Sequence, residues 1–141
     1  MILLDTDHVT VLHYHSHPRS KALQKRLDEA DDDRLAVSVV TLEEQMRGWL
    51  AAIKEGRTAH QQIPAYGRLA GLVDFFSDWE IVVLDIRAAD QFERLRKSRI
   101  RIGSQDLKIA SIALVQDALL LSANLRDFQK VPKLRVENWL A

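Results

Sequence analysis

The sequence predicts an α/β fold in three layers, with helices on both faces of a central, mostly parallel sheet of four to five strands. Three observations carry this. Short apolar runs, each too brief for a helix, recur along the chain. Longer segments of helical periodicity separate them, as in βαβ units. One run, Leu35 to Val40, is β-branched and continuous, which suits a strand covered on both faces. The 141 residues are expected to form one domain spanning 1–141. No repeat, low-complexity segment or Gly/Ser/Pro-rich stretch divides them.

In order, Ile2 to Leu4 open a buried strand, and Val9 to Tyr14 are helical. Pro18 suits the first turn of a second helix reaching about Ala30, because its missing N–H would be unpaired there anyway. Asp31, Asp32 and Asp33 make a solvated turn. After the Leu35–Val40 strand, Thr41 can cap a helix that reaches Gly56. A long helical segment then runs to about Trp79, with Pro64 a point at which it can break. Ile81 to Leu84 form a third strand, and Ala88 to Lys97 an amphipathic helix. Ser104 to Ala118 form a helix apolar almost all round, hence buried. Leu119 to Leu121 form a fourth strand and Leu134 to Val136 a short fifth. Leu72, Phe75, Phe76 and Trp79 read as core, or else as a dimer face or a groove for a partner helix.

Composition narrows the functional classes. With 47% hydrophobic and 28% charged residues, the chain is not disordered. Twenty basic and twenty acidic residues cancel, so an acidic partner must meet a local basic patch. Cysteine is absent. That excludes disulfides, thiolate metal sites and a Cys nucleophile, and points to a reducing, cytoplasmic location. No apolar run approaches the roughly 20 residues of a membrane span. MILLDTD meets an acid at position 5 with no basic segment before it, unlike a signal peptide. The five glycines never fall in a phosphate-loop order. His13, His15 and His17 alternate in a spacing that fits no recurrent zinc pattern, and read as a surface turn.

In parallel sheets, ligands sit beyond the carboxyl ends of the strands. Asp5 follows the first strand, Thr41 the second with Glu44 a turn on, and Asp85 the third. Ser122, Asn124 and Asp127 follow the fourth, while Asp106 lies in the first turn of the buried helix. Each has a purely structural reading. Thr41 and Glu44 fit a capping box, Asp106 fits the positive end of a helix dipole, Asn124 and Asp127 fit a turn, and Asp5 fits a cap. Together they suggest more. Carboxylates about 4 Å apart repel by about 4 kcal/mol per pair at an effective dielectric near 20. A hard cation such as Mg²⁺ or Mn²⁺ removes that repulsion and can support displacement at phosphorus.

Five segments resemble the PIN-domain ribonucleases, and among them the VapC-type toxins of toxin–antitoxin pairs. They are Met1-Ile2-Leu3-Leu4-Asp5-Thr6-Asp7, Ser38 to Gly48, Ile102 to Ala110, Ser122 to Phe128, and Val131-Pro132 through Trp139. By spacing, Glu44 rather than Glu43 matches the acid of the second segment. The family often has Asn where Asp7 stands, and usually Thr where Ser122 stands. The resemblance implies a PIN-like fold and a Mg²⁺- or Mn²⁺-dependent endoribonuclease that cuts single-stranded or loop RNA, often tRNA. It also implies a homodimer and a cognate antitoxin whose C-terminal arm covers the site. On this reading Asp5, Glu44 and Asp106 hold the metal, with Asp127 completing the site or holding a water. Asn124 orients a carboxylate or the phosphate, while Thr6, Thr41 and Ser122 support the acids. Arg94, Arg96, Lys97, Arg99 and Arg101, with Arg126, Lys130 and Lys133, are candidates for RNA backbone contacts. Aromatic residues make up 6%, so stacking partners for bases are scarce.

Three other readings fit part of the sequence. A haloacid-dehalogenase-like phosphatase would use Asp5 as nucleophile and Asp7 as acid/base, but its later Lys and paired-Asp motif has no match in order. A receiver-like switch fits the length, but not the wide separation of Asp5 from Asp85. A non-catalytic PIN-like binding module keeps the fold, yet all four acids are present.

Overall fold

The computed structural model describes residues 1–14, 16–31 and 34–141. His15, Asp32 and Asp33, singled out above, lie outside the described residues. Five strands form the sheet: β1 (Ile2–Leu4), β2 (Leu35–Ser38), β3 (Glu80–Val82), β4 (Leu119–Leu121) and β5 (Arg135–Glu137). Their order is β3-β2-β1-β4-β5, and every pairing is parallel. The chain leaves β1 toward one edge and later returns to its other side as β4. The direction of winding therefore reverses between β1 and β4, and a crevice forms at such a reversal, at the strands' carboxyl ends.

Strand side chains alternate between two cores. Leu3, Ala36 and Leu120 pack with α5 (Ile86–Lys97) and α6 (Ser104–Val115). Ile2, Leu4, Val37 and Leu121 pack with α1 (Thr6–His13), α2 (Ser20–Asp28) and α4 (Ala59–Phe76), and with part of α3 (Val39–Glu55). These are the three expected layers. Leu72 and Phe76 are buried in the second core, with Phe75 and Trp79 packed against it.

The helix boundaries differ from the sequence expectation where capping decides them. α1 begins at Thr6, because the Asp5 carboxylate accepts from the Thr6 N–H. β2 ends at Ser38 rather than Val40, because Ser38 Oγ accepts from the Thr41 N–H at 3.1 Å and starts α3 at Val39. Thr41 is therefore not the cap. Ser38 is fully buried, so Ser38→Ala is expected to cost about 1–2 kcal/mol, measurable as a lower denaturation midpoint. Asp85 caps α5 through the Ala88 N–H. Pro18 precedes α2 instead of entering it. Pro64 does not break α4. Burial of Ala65, Leu72 and Phe76 outweighs the roughly 3 kcal/mol that an interior proline costs. A short helix, α7 (Leu125–Phe128), was not expected; fully buried Phe128 pins it. No helix among the described residues is long and apolar enough to cross a membrane.

Candidate active site

The crevice between β1 and β4 is built around Asp5. Its N–H bonds the Leu121 carbonyl at 2.9 Å, which ties the end of β1 to β4. The residue is only 6% exposed. One oxygen accepts from the Thr6 N–H at 2.8 Å, the other from the Ser122 hydroxyl at 2.7 Å. Burial pushes the Asp5 carboxyl up to about 6. The Ser122 bond opposes this, while the charges of Asp7 and Asp106 add to it.

Glu44 approaches from α3. Because Ser38 holds the cap, Glu44 is not in a capping box; its carboxylate accepts from the Thr6 hydroxyl at 2.9 Å. Burial raises its pKa, the Thr6 bond lowers it, and the Asp106 charge raises it again. Glu43 points elsewhere, to Arg47 at 2.7 Å and Gln105 at 2.9 Å. Bonding from Gln105 first, and the nearby Arg47 charge, hold its carboxyl below the usual range. Thr6→Val removes the hydroxyl that fixes Glu44. It is expected to slow cleavage about tenfold with an unchanged circular dichroism spectrum.

Asp106 stands in the first turn of α6, and Asp127 on α7. One Asn124 amide nitrogen joins them, donating to Asp106 Oδ2 and to Asp127 Oδ2 at 3.2 Å each. The Asn124 N–H in turn bonds Ser122 Oγ at 3.0 Å. Burial raises the Asp106 pKa, the Asn124 bond lowers it, and the charges of Asp127 and Asp7 raise it. Asp127 is held low by Asn124 and then by Lys130, whose Nζ lies 3.3 Å away.

Asp5, Glu44, Asp106, Asp127 and Asn124 are thus brought to one rim, linked through Thr6 and Ser122. Thr41 is not: it is fully buried and bonds Ser38, not a carboxylate. Asp85 is not, being occupied as the cap of α5 after the edge strand β3. Asp7 joins the rim through the Ala123 N–H at 2.9 Å. Its other oxygen faces Nδ1 of His8, which is fully buried. His8 Nε2 accepts from the Trp139 N–H at 3.1 Å. The ring proton therefore lies on Nδ1, toward Asp7. In the sequence, the one local sign of this contact is that His8 directly follows Asp7.

Lys130 and Arg126 lie beside Asp127. Arg94, Arg96 and Lys97 form the last turn of α5, which leads through Arg99 and Arg101 to α6. Lys130 Nζ bonds both the Arg101 carbonyl, at 3.1 Å, and Asp127, so that loop adjoins the acidic rim. Arg126 lies on α7 between Asn124 and Asp127. Arg94 also reaches Gln91 at 2.8 Å, and Arg96 lies 4.0 Å from Glu93.

The donor set suits a hard cation. It offers carboxylate oxygens and no thiolate, and three of its four carboxyls are raised by burial and by one another's charge. Among the described residues, no three acidic or histidine side chains already stand in a closed cation cluster. The acids are linked to one another through Thr6, Ser122 and Asn124.

No family model matches the chain. Individual proteins do. The chain is 26% identical to Ribonuclease VapC2 of Rickettsia felis over 137 residues, which is 97% of this chain and 96% of that protein. It is 28% identical to Ribonuclease VapC1 of Haemophilus influenzae over 138 residues, 97% and 96% of the two chains. It is 27% identical to the tRNA(fMet)-specific endonuclease VapC of Salmonella typhimurium over 110 residues, 75% and 76% of the two. Among solved structures, its fold matches a chain of VapBC-1 from nontypeable Haemophilus influenzae, with a TM-score of 0.74, 24% identity and full coverage of both chains. It also matches a chain of the Rickettsia felis VapBC2 complex bound to promoter DNA, with a TM-score of 0.71, 24% identity and 99% coverage of both.

Proposed function

We propose that this chain, a VapC-type PIN-domain protein by sequence and by fold, is a Mg²⁺- or Mn²⁺-dependent endoribonuclease, the toxin of a toxin–antitoxin pair. The observation that carries the reading is the Asp5–Asp106 neighbourhood at the reversal of the sheet: a buried and a half-buried carboxyl from distant parts of the chain, linked through Ser122 and Asn124. Asp5, Glu44 and Asp106 would hold the ion, with Asp127 completing the site. When bound, it supplies Lewis-acid activation of water and neutralises charge on the phosphate.

This chain's own residues do the rest. The Ser122 hydroxyl and Thr6 N–H fix both Asp5 oxygens, and the Thr6 hydroxyl fixes Glu44. The Asn124 amide spaces Asp106 from Asp127. Arg94, Arg96, Lys97, Arg99, Arg101 and Arg126 would track the RNA backbone, which gives affinity without sequence information. Single-stranded or loop RNA is the substrate class, with tRNA first among those to test. The phosphatase alternative fares worse. Both Asp5 oxygens already accept hydrogen bonds and the residue is buried, which suits holding an ion better than in-line attack on phosphorus.

A cognate antitoxin is the expected protein partner. An apolar groove of about 360 Å³ along α3, lined by Val39, Leu42, Met46 and Leu50 among others, supports docking of a polypeptide. Exposed Ile63, Tyr66 and Val73 on α4 support a homodimer. The absence of Cys supports a cytoplasmic location. Purified protein incubated with total RNA is expected to cleave it in Mg²⁺ or Mn²⁺ and to stop in EDTA. Intact RNA in both metals would overturn the nuclease reading.

A further inference from the structure

We propose that the pocket beside Glu44 is a nucleobase subsite, in which an unpaired RNA base next to the scissile phosphate stacks on Trp49. The inference rests on the nuclease reading above and adds to it a residue that selects unpaired RNA. The pocket holds about 290 Å³ and is lined by Glu44, Gln45, Gly48 and Trp49. Glu44–Gly48 and Gln45–Trp49 are both i,i+4 pairs, so the four make two neighbouring rows on one face of α3. Glu44 bounds the pocket and also belongs to the acidic rim through Thr6. A base lying here would therefore have its phosphate near the carboxylates.

Trp49 is half-buried and packs against the core between the sheet and α4, so the indole is held in place while it lines the pocket. Gln45 forms the adjoining wall. Its Nε2 reaches Thr10 Oγ1 at 3.5 Å, and that hydroxyl donates to the Thr6 carbonyl at 2.8 Å. An amide at this position can bond the edge of a base, while the indole takes its face. Aromatic stacking of this kind tolerates any base and demands that the base be unpaired.

Gly48 is the second observation. A glycine inside a helix costs about 1 kcal/mol relative to alanine. Here φ is not positive, and an added Cβ would meet nothing within 4 Å, so neither backbone nor packing asks for glycine. Gly67 and Gly71 of α4 are equally uncrowded, and lack of crowding alone marks no site. Gly48 differs in lining a cavity that a candidate catalytic acid also lines. Its missing side chain leaves the pocket open beside Glu44.

The test uses the full chain and a short single-stranded RNA oligonucleotide, alongside the same oligonucleotide with abasic sugars. Binding is followed by fluorescence polarisation of a labelled oligonucleotide in EDTA, and cleavage is followed in Mg²⁺. Trp49→Ala is expected to weaken binding of the normal oligonucleotide about 5- to 100-fold, and Trp49→Phe only a few-fold. Gly48→Leu fills the pocket and is expected to weaken binding as much as Trp49→Ala without lowering the melting temperature. The abasic strand should bind all variants alike. Should Trp49→Ala be unfolded by circular dichroism, Gly48→Leu decides. If Gly48→Leu binds and cleaves like the parent protein, the subsite is refuted while the nuclease reading stands. If the parent protein binds through Trp49 but never cleaves, the nuclease reading falls and the base subsite survives. If the normal oligonucleotide does not bind the parent protein, or binds no better than the abasic one, the subsite is refuted.

Discussion

Replacing Asp5 by Asn is expected to abolish RNA cleavage, by about 10³-fold or more, while making the metal-free protein more stable at neutral pH. The two effects share one cause. Asp5 is buried and its carboxyl is raised to about 6 from an ordinary 3.8. Between those values the folded chain keeps a proton that the unfolded chain has lost. Metal-free stability therefore falls as pH rises through this window and stays low above it. The neutral amide escapes that cost and keeps the local geometry. Asn Oδ1 can accept from the Thr6 N–H, and Nδ2 can donate to Ser122 Oγ, whose proton then turns to Asp7, 3.4 Å away. The expected gain is about 1–3 kcal/mol above pH 6, seen as a melting temperature several degrees higher in EDTA. Near pH 4 the difference should close.

Added Mg²⁺ should reverse the ranking. It stabilises the parent protein by mass action and leaves Asp5→Asn nearly unmoved, because the mutant lacks the charge that holds the ion. At limiting metal, cleavage by the parent protein should decline as pH falls through about 6, and recover when more metal is added. A lower melting temperature for Asp5→Asn than for the parent protein in EDTA at neutral pH would show that the buried Asp5 carboxylate carries no such cost. Full cleavage by the mutant, in preparations free of contaminating nuclease, would remove Asp5 from the mechanism.

His8→Phe is expected to destabilise the protein by about 2–4 kcal/mol and to slow cleavage besides. The phenyl ring roughly preserves volume, so the loss isolates the polar contacts. His8 is fully buried and uses both nitrogens, one toward Asp7 and one from the Trp139 N–H. Removing it takes partners from a carboxylate and a backbone N–H together, and leaving a buried polar group unpaired costs more than making the bond gains. The cleavage loss has a separate route. Asp7 holds the Ala123 N–H, and Ala123 lies between Ser122 and Asn124, the two residues that fix Asp5 and Asp106. His8 and Asp7 are therefore positioning residues. In chemical denaturation His8→Phe should show a lower midpoint, and in excess metal it should show reduced kcat with little change in KM. A midpoint within about 0.5 kcal/mol of the parent protein would mean that the buried imidazole contributes little.

Several elements were legible residue by residue. The strands Ile2–Leu4 and Leu119–Leu121 match their apolar runs, because a strand buried on both faces must be apolar throughout. Helices were legible by type and less so by end. Near α3, Ser38 and Thr41 are both competent caps three residues apart, and the chain alone does not say which hydroxyl points along the helix. Pro64 left a break in α4 open for a related reason: local propensity favours one, and burial of the surrounding face of α4 overrides it. α7 is four residues long, too short to show a helical period. Trp49 stood in the sequence without a role, since nothing local links an indole on α3 to the acids.

By itself, the sequence determined the α/β layering, the strand cores and the ordered set Asp5, Glu44, Asp106, Asn124 and Asp127. Those properties reside in short windows: periodicity, apolar runs, and motifs matched by resemblance. The tertiary structure alone decided which groups touch. Thr6 meets Glu44 across 38 positions, Ser122 meets Asp5 across 117, and His8 meets Trp139 across 131. Such contacts depend on parallel crossovers that set β1 between β2 and β4, and hydrogen bonds act only over about 3 Å. No local pattern encodes a distance that the path of the whole chain must first create.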